Sequence, residues 1–284
     1  MSNRIFPITL VVACVIGGLG LVLTAFSLFL TSPAGASIGI VGAVVQVIVA
    51  IVILRLPALG VWPEGGNWRW VAAALVWGGG IGVMWAVGQS SMTQVALPNL
   101  PFGAFEDSWL GAYPEEPIKA LGVVLILMSF GFLNRPIHGL VVGTFSGLGF
   151  EVVENMGYGA AMAPFDPSAD INGAFLTWLV RVAMGPFLHA LWTGIAGYAI
   201  GWALFALGRR LRWRIGVVIL GLLVPFFLHF TYNWHAGGEV FPIVKSIGLA
   251  VISYVIYALL IWHWQQKADP SPESEYSGSH LPVG

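Results

Sequence analysis

The chain has 284 residues, of which 57% are hydrophobic and 9% are charged, with a mean hydropathy of +0.84 and a formal net charge of −1. Ordinary soluble domains are about 25% charged, so this composition excludes a single soluble domain and indicates an integral membrane protein. The single cysteine, Cys14, excludes an intrachain disulfide and a thiolate metal cluster. The net charge by itself says nothing about nucleic acid. We expect no nucleic-acid partner, and the sequence does not define an oligomeric state.

The apolar segments are continuous and about 20 residues long, which predicts membrane-spanning helices rather than the short alternating strands of a β-barrel. We predict an all-α, polytopic membrane protein with about eight transmembrane helices. They lie near residues 7–31, 36–56, 70–89, 115–133, 137–162, 175–207, 215–235 and 245–264. The first segment is longer than the apolar core of a signal peptide, so we expect an uncleaved helix, although Ala34-Gly35-Ala36 has the form of a cleavage site.

The sixth segment is too long for one straight crossing. We expect it to begin as an interfacial turn and to enter the membrane near Gly185-Pro186. Residues 268–284 are polar and rich in Pro and Ser, which predicts a disordered cytoplasmic tail. The chain therefore divides into helices one to three with an outer loop (1–112), a catalytic core of helices four to seven (113–235), the last helix (236–267) and the tail (268–284).

Positive charge predicts the orientation of the spans, because arginine and lysine accumulate in cytoplasmic loops. The densest basic block is RRLRWR at 209–214, between the sixth and seventh segments. Placing this block in the cytoplasm and alternating the spans gives a protein with both termini inside. The loop 90–114 then lies outside, and because it is rich in Pro and Gly we expect it to gate the entry of a substrate.

The ionisable residues of the core converge on one depth in this topology. A helix rises about 1.5 Å per residue, so Glu151 and Glu154 on span five lie about 21–26 Å above the inner surface, and His229 on span seven about 21 Å. His189 lies just below the outer start of span six, and Glu115 opens span four from the same side. Charged groups at membrane depth are costly, which favours a functional site just below the outer surface.

Simpler explanations exist for the charges of span four. Glu115 and Glu116 are placed to cap a helix N-terminus, Pro117 suits a first helical turn, and Glu115 and Lys119 form a favourable i,i+4 pair. These residues therefore indicate either a cap or part of a site.

The acidic residues of span five are harder to explain structurally. Gly143-x-x-x-Gly147 is a helix-packing motif, which accounts for the glycines but not for Glu151 and Glu154 on the same stripe. A salt bridge to Arg181, or to the lysine of span four, is the structural alternative.

The histidines complete a set of potential metal ligands. His189 alone is typical of a core histidine, and His229 with Asn233 one turn later is a weak signal alone. Their common depth with several carboxylates favours a metal site, because carboxylates and imidazoles are zinc ligands.

Four short motifs in order resemble those of a known family. They are the EExxK pattern of Glu115, Glu116 and Lys119; Phe150 and Glu154 in GLGFEVVEN; His189 in HALWTG; and His229 in HFTYN. The set resembles the PrsW family of intramembrane metalloproteases, a branch of the superfamily that holds the CAAX-processing and bacteriocin-processing proteases. The resemblance runs from about residue 113 to 235. Glu154 stands where many superfamily members have histidine, as in the PrsW branch.

The resemblance implies a zinc-dependent endopeptidase of a bacterial cytoplasmic membrane. Its substrate would be a membrane-bound protein with a transmembrane segment, such as an anti-sigma factor, cleaved near the outer face. Carried onto this chain, the metal ligands are Glu154, His189 and His229. The general base is Glu115 or Glu116, of which we favour Glu115. Asn233 holds the oxyanion or the water, and Lys119 and Glu151 are supporting residues.

Two other functions fit the same residues. A proton-coupled or cation-coupled transporter would also need intramembrane acids, but the inner halves of these helices have almost no ionisable residues to form a path. A non-catalytic membrane scaffold with the same fold would bind no metal.

Overall fold

The computed structural model of the protein describes residues 4–97, 103–235, 237–238 and 240–267, and all regular structure in them is helical. The ten α-helices are α1 (Ile5–Thr31), α2 (Pro33–Leu54), α3 (Arg69–Val76), α4 (Val83–Ala96), α5 (Glu106–Ser129), α6 (Pro136–Met162), α7 (Asp170–Met184), α8 (Leu188–Phe205), α9 (Leu211–Asn233) and α10 (Val240–Lys267). A π-helical turn, Trp77–Gly82, joins α3 to α4. The predicted all-α fold class is confirmed.

Seven helical segments in the described residues are long and apolar enough to cross a membrane. They are Ile5–Thr31, Pro33–Leu54, Arg69–Ala96, Pro136–Phe165, Leu188–Phe205, Leu211–Asn233 and Val240–Lys267. Helix α5 is not among them because every 18-residue stretch of it contains Glu115, Glu116 and Lys119. The chain is thus a multi-pass membrane protein. The eighth crossing, by α5, and the orientation with both termini inside stay predictions.

The predicted boundaries lie within four residues of the observed ones for α1, α2, α6 and α9 and differ by more elsewhere. The third predicted helix stopped at 89, but the helical segment continues to Ala96. The apolar run ends near 89, and the neutral polar side chains that follow do not interrupt helical hydrogen bonding. The eighth predicted helix, 245–264, extends in fact from Val240 to Lys267. The predicted tail, 268–284, lies outside the described residues.

Helix α5 begins at Glu106, well before the predicted start at 115. It continues through Pro114, which has no N–H to donate to the carbonyl of Leu110; the hydroxyl of Ser90 donates to that carbonyl instead, at 2.6 Å. Glu115 and Glu116 therefore lie in the interior of a helix, and the helix-cap explanation for them is wrong. The predicted loop 90–114 is largely helical, and its residues 98–102 lie outside the described part.

The sixth predicted segment, 175–207, consists of two helices, α7 and α8, which agrees with the expectation that it is too long for one straight crossing. The break falls between α7 and α8, at the predicted Gly185-Pro186, where Gly185 has φ 150° and Phe187 has φ 61°. Helix α7 is a separate helix of 15 residues rather than a single interfacial turn. A new helix N-terminus is consequently created at Leu188, next to His189.

Helices α6 and α8 are the two most buried of the membrane-length helices in the described residues, and they pack closely on each other. A β-carbon at Gly143 would overlap the carbonyl oxygen of Thr193, and one at Gly147 would overlap that of His189. The backbones of α6 and α8 therefore touch, as the Gly-x-x-x-Gly motif predicted. This contact fixes the N-terminal half of α6 against the first turns of α8.

We predict that Gly143→Ala lowers the stability of the protein by about 1–3 kcal/mol, because the added methyl group forces α6 away from α8. Gly157→Ala is the matched control: it lies on the same helix and its β-carbon would meet no atom within 4 Å. The control should be neutral or stabilising by up to about 1 kcal/mol, since alanine favours helices over glycine. Thermal unfolding in detergent would measure both, and equal melting temperatures would contradict the close contact.

Candidate functional site

Three helices bring four potential metal ligands together. Glu115 and Glu116 come from α5, His189 from α8 and His229 from α9, and one ligand atom of each lies within 4.8 Å of all the others. All four side chains are buried. The sequence predicted that these helices carry their polar residues to one level, and the described structure places them in one cluster.

A cavity of about 600 Å³ adjoins this cluster. Glu115, Glu154, His189, His229 and Asn233 line it, together with residues from α2, α4 and α7. Neither Glu116 nor Lys119 belongs to its lining. The two adjacent glutamates of α5 therefore have different environments. Glu115 faces the cavity, whereas Glu116 lies behind the cavity wall.

Lys119 lies behind the cavity wall with a side chain that has no solvent exposure. Its Nζ is 2.7 Å from Glu116 Oε1, 3.4 Å from Glu115 Oε2 and 3.0 Å from His189 Nδ1. It also lies 4.6 Å from the ring centroid of Phe150. The ammonium group thus neutralises part of the charge of the two glutamates and fixes their positions from behind.

His229 is held in one orientation by its neighbours. Its Nδ1 lies 2.9 Å from Glu116 Oε1, and its Nε2 lies 3.1 Å from the amide nitrogen of Asn233. The indole of Trp192 stacks on the imidazole with ring centroids 4.9 Å apart. Because Nδ1 donates to the carboxylate of Glu116, Nε2 carries the lone pair and accepts a hydrogen bond from the amide of Asn233. Metal-binding histidines are commonly held by a carboxylate in this way.

Glu154 and His189 meet on the cavity side of the cluster. Glu154 Oε2 lies 3.2 Å from His189 Nε2 and 2.6 Å from Arg181 Nη2. Arg181 also donates to Asn155. The salt bridge to Arg181 that the sequence left open is therefore present. It does not exclude a metal at Glu154, because a carboxylate has two oxygens and only one of them contacts the arginine.

Glu151 lies apart from the ligand cluster and binds the backbone at the start of α8. Its carboxylate accepts hydrogen bonds from the N–H groups of Phe187 and His189 and from the amide of Gln46. Sequence reasoning did not find Gln46 or Trp192. The signal for Gln46 was present as one amide in the apolar run GAVVQVIVAIV of α2.

The donor set suits a zinc ion. Two imidazoles and several carboxylates are ordinary zinc ligands, at about 2.0–2.2 Å from the metal. His229 contributes Nε2, whose lone pair accepts from the amide of Asn233 in this structure. The site therefore fits a metal by the chemistry of its residues.

The fold and the site define a class of protein: a multi-pass helical membrane protein whose buried carboxylates and imidazoles meet beside a polar cavity. Within that class, the chain belongs to the PrsW family of intramembrane metalloproteases, which matches residues 66–262. Helices α1 and α2 lie outside this match.

Three curated relatives carry the name Protease PrsW. That of Shouchella clausii (strain KSM-K16) is 28% identical over 160 residues, 56% of this chain and 62% of the relative. That of Geobacillus kaustophilus (strain HTA426) is 31% identical over 120 residues, 42% of this chain and 47% of the relative. That of Clostridioides difficile (strain 630) is 23% identical over 148 residues, 52% of this chain and 56% of the relative. Each match spans less than two thirds of the relative. No solved structure matches the chain.

We predict that Lys119→Met destabilises the protein by about 3–5 kcal/mol, because it leaves two buried carboxylates without their cation. The double variant Lys119→Met/Glu116→Gln removes one of the unpaired carboxylates and should recover part of the loss. Thermal unfolding of both variants beside the wild type would show this order. A single variant that unfolds at the wild-type temperature would contradict the role assigned to Lys119.

Proposed function

We propose that the protein is an intramembrane zinc-dependent endopeptidase that cleaves a membrane-bound protein near the outer face of the membrane. The observation that carries the proposal is the meeting of Glu115, Glu154, His189 and His229 at one cavity. Membership of a metalloprotease family supports the same reaction class.

Glu154, His189 and His229 are the proposed metal ligands. They line the cavity, and His229 presents Nε2 with its other ring nitrogen fixed by a carboxylate. An alternative set is the compact group of Glu115, Glu116 and the two histidines. We favour the cavity-facing set because the ammonium group of Lys119 already lies among Glu115, Glu116 and His189 Nδ1, where a cation would be repelled.

Bound at these ligands, a zinc ion would supply Lewis-acid activation of a water molecule and of the scissile carbonyl group. The remaining steps belong to the residues of the chain. Glu115 faces the cavity and acts as the general base, taking a proton from the attacking water and returning it to the leaving amine. Glu116 is held by Lys119 and His229 and does not reach the cavity, which supports the assignment of the base to Glu115.

Asn233 supplies a neutral donor at the edge of the site. Its Nδ2 lies 3.1 Å from His229 Nε2, so the amide is within reach of a group that approaches the histidine. A donor fixed in this way stabilises the oxygen that becomes negative during attack on a carbonyl. Its proposed role is therefore to hold the oxyanion or the water.

The proposed substrate is a membrane protein with a transmembrane segment, such as an anti-sigma factor, in a bacterial cytoplasmic membrane. A peptide bond within a helix is protected by hydrogen bonding, so the segment must unwind locally at the site. The cavity, with its charged and amide side chains, would give water access to the unwound bond.

The metal content of detergent-purified protein tests the ligands. We expect about one zinc per chain in the wild type and loss of zinc in Glu154→Gln and His189→Ala, because each removes one ligand. His263→Ala is the matched control: this histidine binds Tyr198 at 2.7 Å, away from the cavity, and its loss should leave the zinc in place. Wild-type protein that holds no metal, and takes up none when zinc is added, would contradict the proposal and favour a transporter or a scaffold.

Cleavage tests the base separately from the metal. We predict that Glu115→Gln keeps its zinc but loses cleavage by about 10²- to 10⁴-fold, the usual contribution of a general base. Membranes from cells that produce the wild type or this variant would be compared by mass spectrometry of protein N-termini. New N-termini inside transmembrane segments should appear with the wild type alone. If both membranes show the same termini, Glu115 is not the base.

A further inference from the structure

The first turn of α8 depends on a carboxylate from another helix. Glu151 of α6 is 4% exposed and accepts hydrogen bonds from the backbone N–H groups of Phe187 at 2.8 Å, His189 at 3.1 Å and Ala190 at 3.5 Å. The first N–H groups of a helix have no partners within the helix. The positive end of the helix dipole also favours an anion there. Glu151 therefore acts as the cap that α8 lacks in its own sequence.

The turn before α8 is shaped for this contact. Phe187 is the only residue other than glycine with a positive φ in the described part of the chain, at 61°. This conformation is unfavourable for a bulky side chain, so surrounding contacts must hold it. The carboxylate of Glu151 binds the N–H of Phe187, and the hydroxyl of Tyr254 binds the carbonyl of Pro186.

Gln46 supplies the remaining donor to this carboxylate. Its Nε2 lies 3.2 Å from Glu151 Oε1, and its side chain is 6% exposed at the cavity wall. The nearby Arg181 pairs with Glu154. The carboxylate of Glu151 thus accepts hydrogen bonds from three backbone N–H groups and from Gln46.

We propose that Gln46 and Glu151 form a positioning pair that sets the direction of His189 toward the metal site. The backbone of His189 binds Glu151 Oε2, and its ring nitrogen Nε2 faces Glu154 at 3.2 Å, so a shift in the first turn of α8 moves the proposed ligand. This inference rests on the proposed function. It also makes α2, which lies outside the family match, a contributor to the site.

The role is one of positioning and not of catalysis, because neither residue contacts the proposed ligand atoms. Removing the amide of Gln46 leaves Glu151 with one donor fewer in a buried place. The carboxylate would then turn to find another partner, and the first turn of α8 would loosen with it. Outer residues that orient metal ligands commonly change the metal affinity by about 10- to 100-fold when they are replaced.

The decisive experiment is a Co²⁺ titration of purified Gln46→Leu, followed by visible absorption, beside the wild type. We expect metal affinity to fall by about 10- to 100-fold. Hydrogen exchange at the amides of residues 189 and 190 should also accelerate by roughly tenfold, because the cap is weakened. Glu151→Gln should show the same two changes at greater size, since it removes the charge itself.

Gln265→Leu is the matched control. Gln265 also donates from its Nε2, to the carbonyls of Ala58 at 2.8 Å and Leu59 at 3.1 Å, but these bonds are exposed and Gln265 lies on α10 away from the cavity. It should keep the Co²⁺ affinity of the wild type. If Gln46→Leu does not give folded protein, Gln46→Met keeps the length of the side chain and is judged by the same criteria.

The outcomes separate the two proposals. Wild-type protein that binds Co²⁺, with Gln46→Leu binding it equally well, would overturn the positioning pair and leave the proposed function standing. An equal loss of affinity in Gln46→Leu and Gln265→Leu would also overturn it, because the effect would then be general destabilisation. A wild type that binds neither Co²⁺ nor Zn²⁺ would overturn the proposed function, and the positioning role with it.

Discussion

The buried ammonium group of Lys119 determines how the rest of the site is arranged. It has no solvent exposure, and Glu115 and Glu116 on the same helix supply its counter-charges. A charge placed in hydrocarbon costs about 2.5–3.5 kcal/mol on insertion scales, so partners must lie within direct contact. Glu116 is held by this ammonium group and in turn orients His229 on the side away from the cavity. Glu115 faces the cavity.

The balance of charge around the site is not complete. Four glutamates, at 115, 116, 151 and 154, lie at or beside the cavity, whereas Lys119 and Arg181 are the basic partners that contact them. If all of these groups are ionised, four negative and two positive charges leave a formal charge of −2. A divalent cation would balance that excess, which agrees with the ligand chemistry of the histidines.

The sequence predicted the members of this site better than it predicted their surroundings. Depth along the helices was enough to bring Glu115, Glu154, His189 and His229 together, because helix rise is constant and the membrane limits the possible topologies. The start of α5 was wrong because Glu115, Glu116 and Pro117 have the pattern of a helix start, and only the tertiary contact from Ser90 shows how the helix continues through Pro114. The roles of these residues stay predictions.

Gln46 shows a second limit of the sequence. A single amide in an apolar helix has no periodic partner, so nothing along the chain indicates that it meets Glu151, which is 105 positions away. The division of the chain into an N-terminal region and a catalytic core also separated these two residues. Packing of α2 on α6, through close approach of Gly39 to Met156, is what brings them into contact.

The break between α7 and α8 connects these features. Irregular backbone at membrane depth is tolerated only where it is buried in protein or lines a water-filled cavity, since free N–H groups in lipid are costly. Here Gly185 and Pro186 line the cavity, and Glu151 satisfies the N–H groups that the break exposes. A continuous helix would have removed both the need for Glu151 and the opening beside His189. The interruption therefore places a helix start, a fixed histidine and a polar cavity at the same point in the fold.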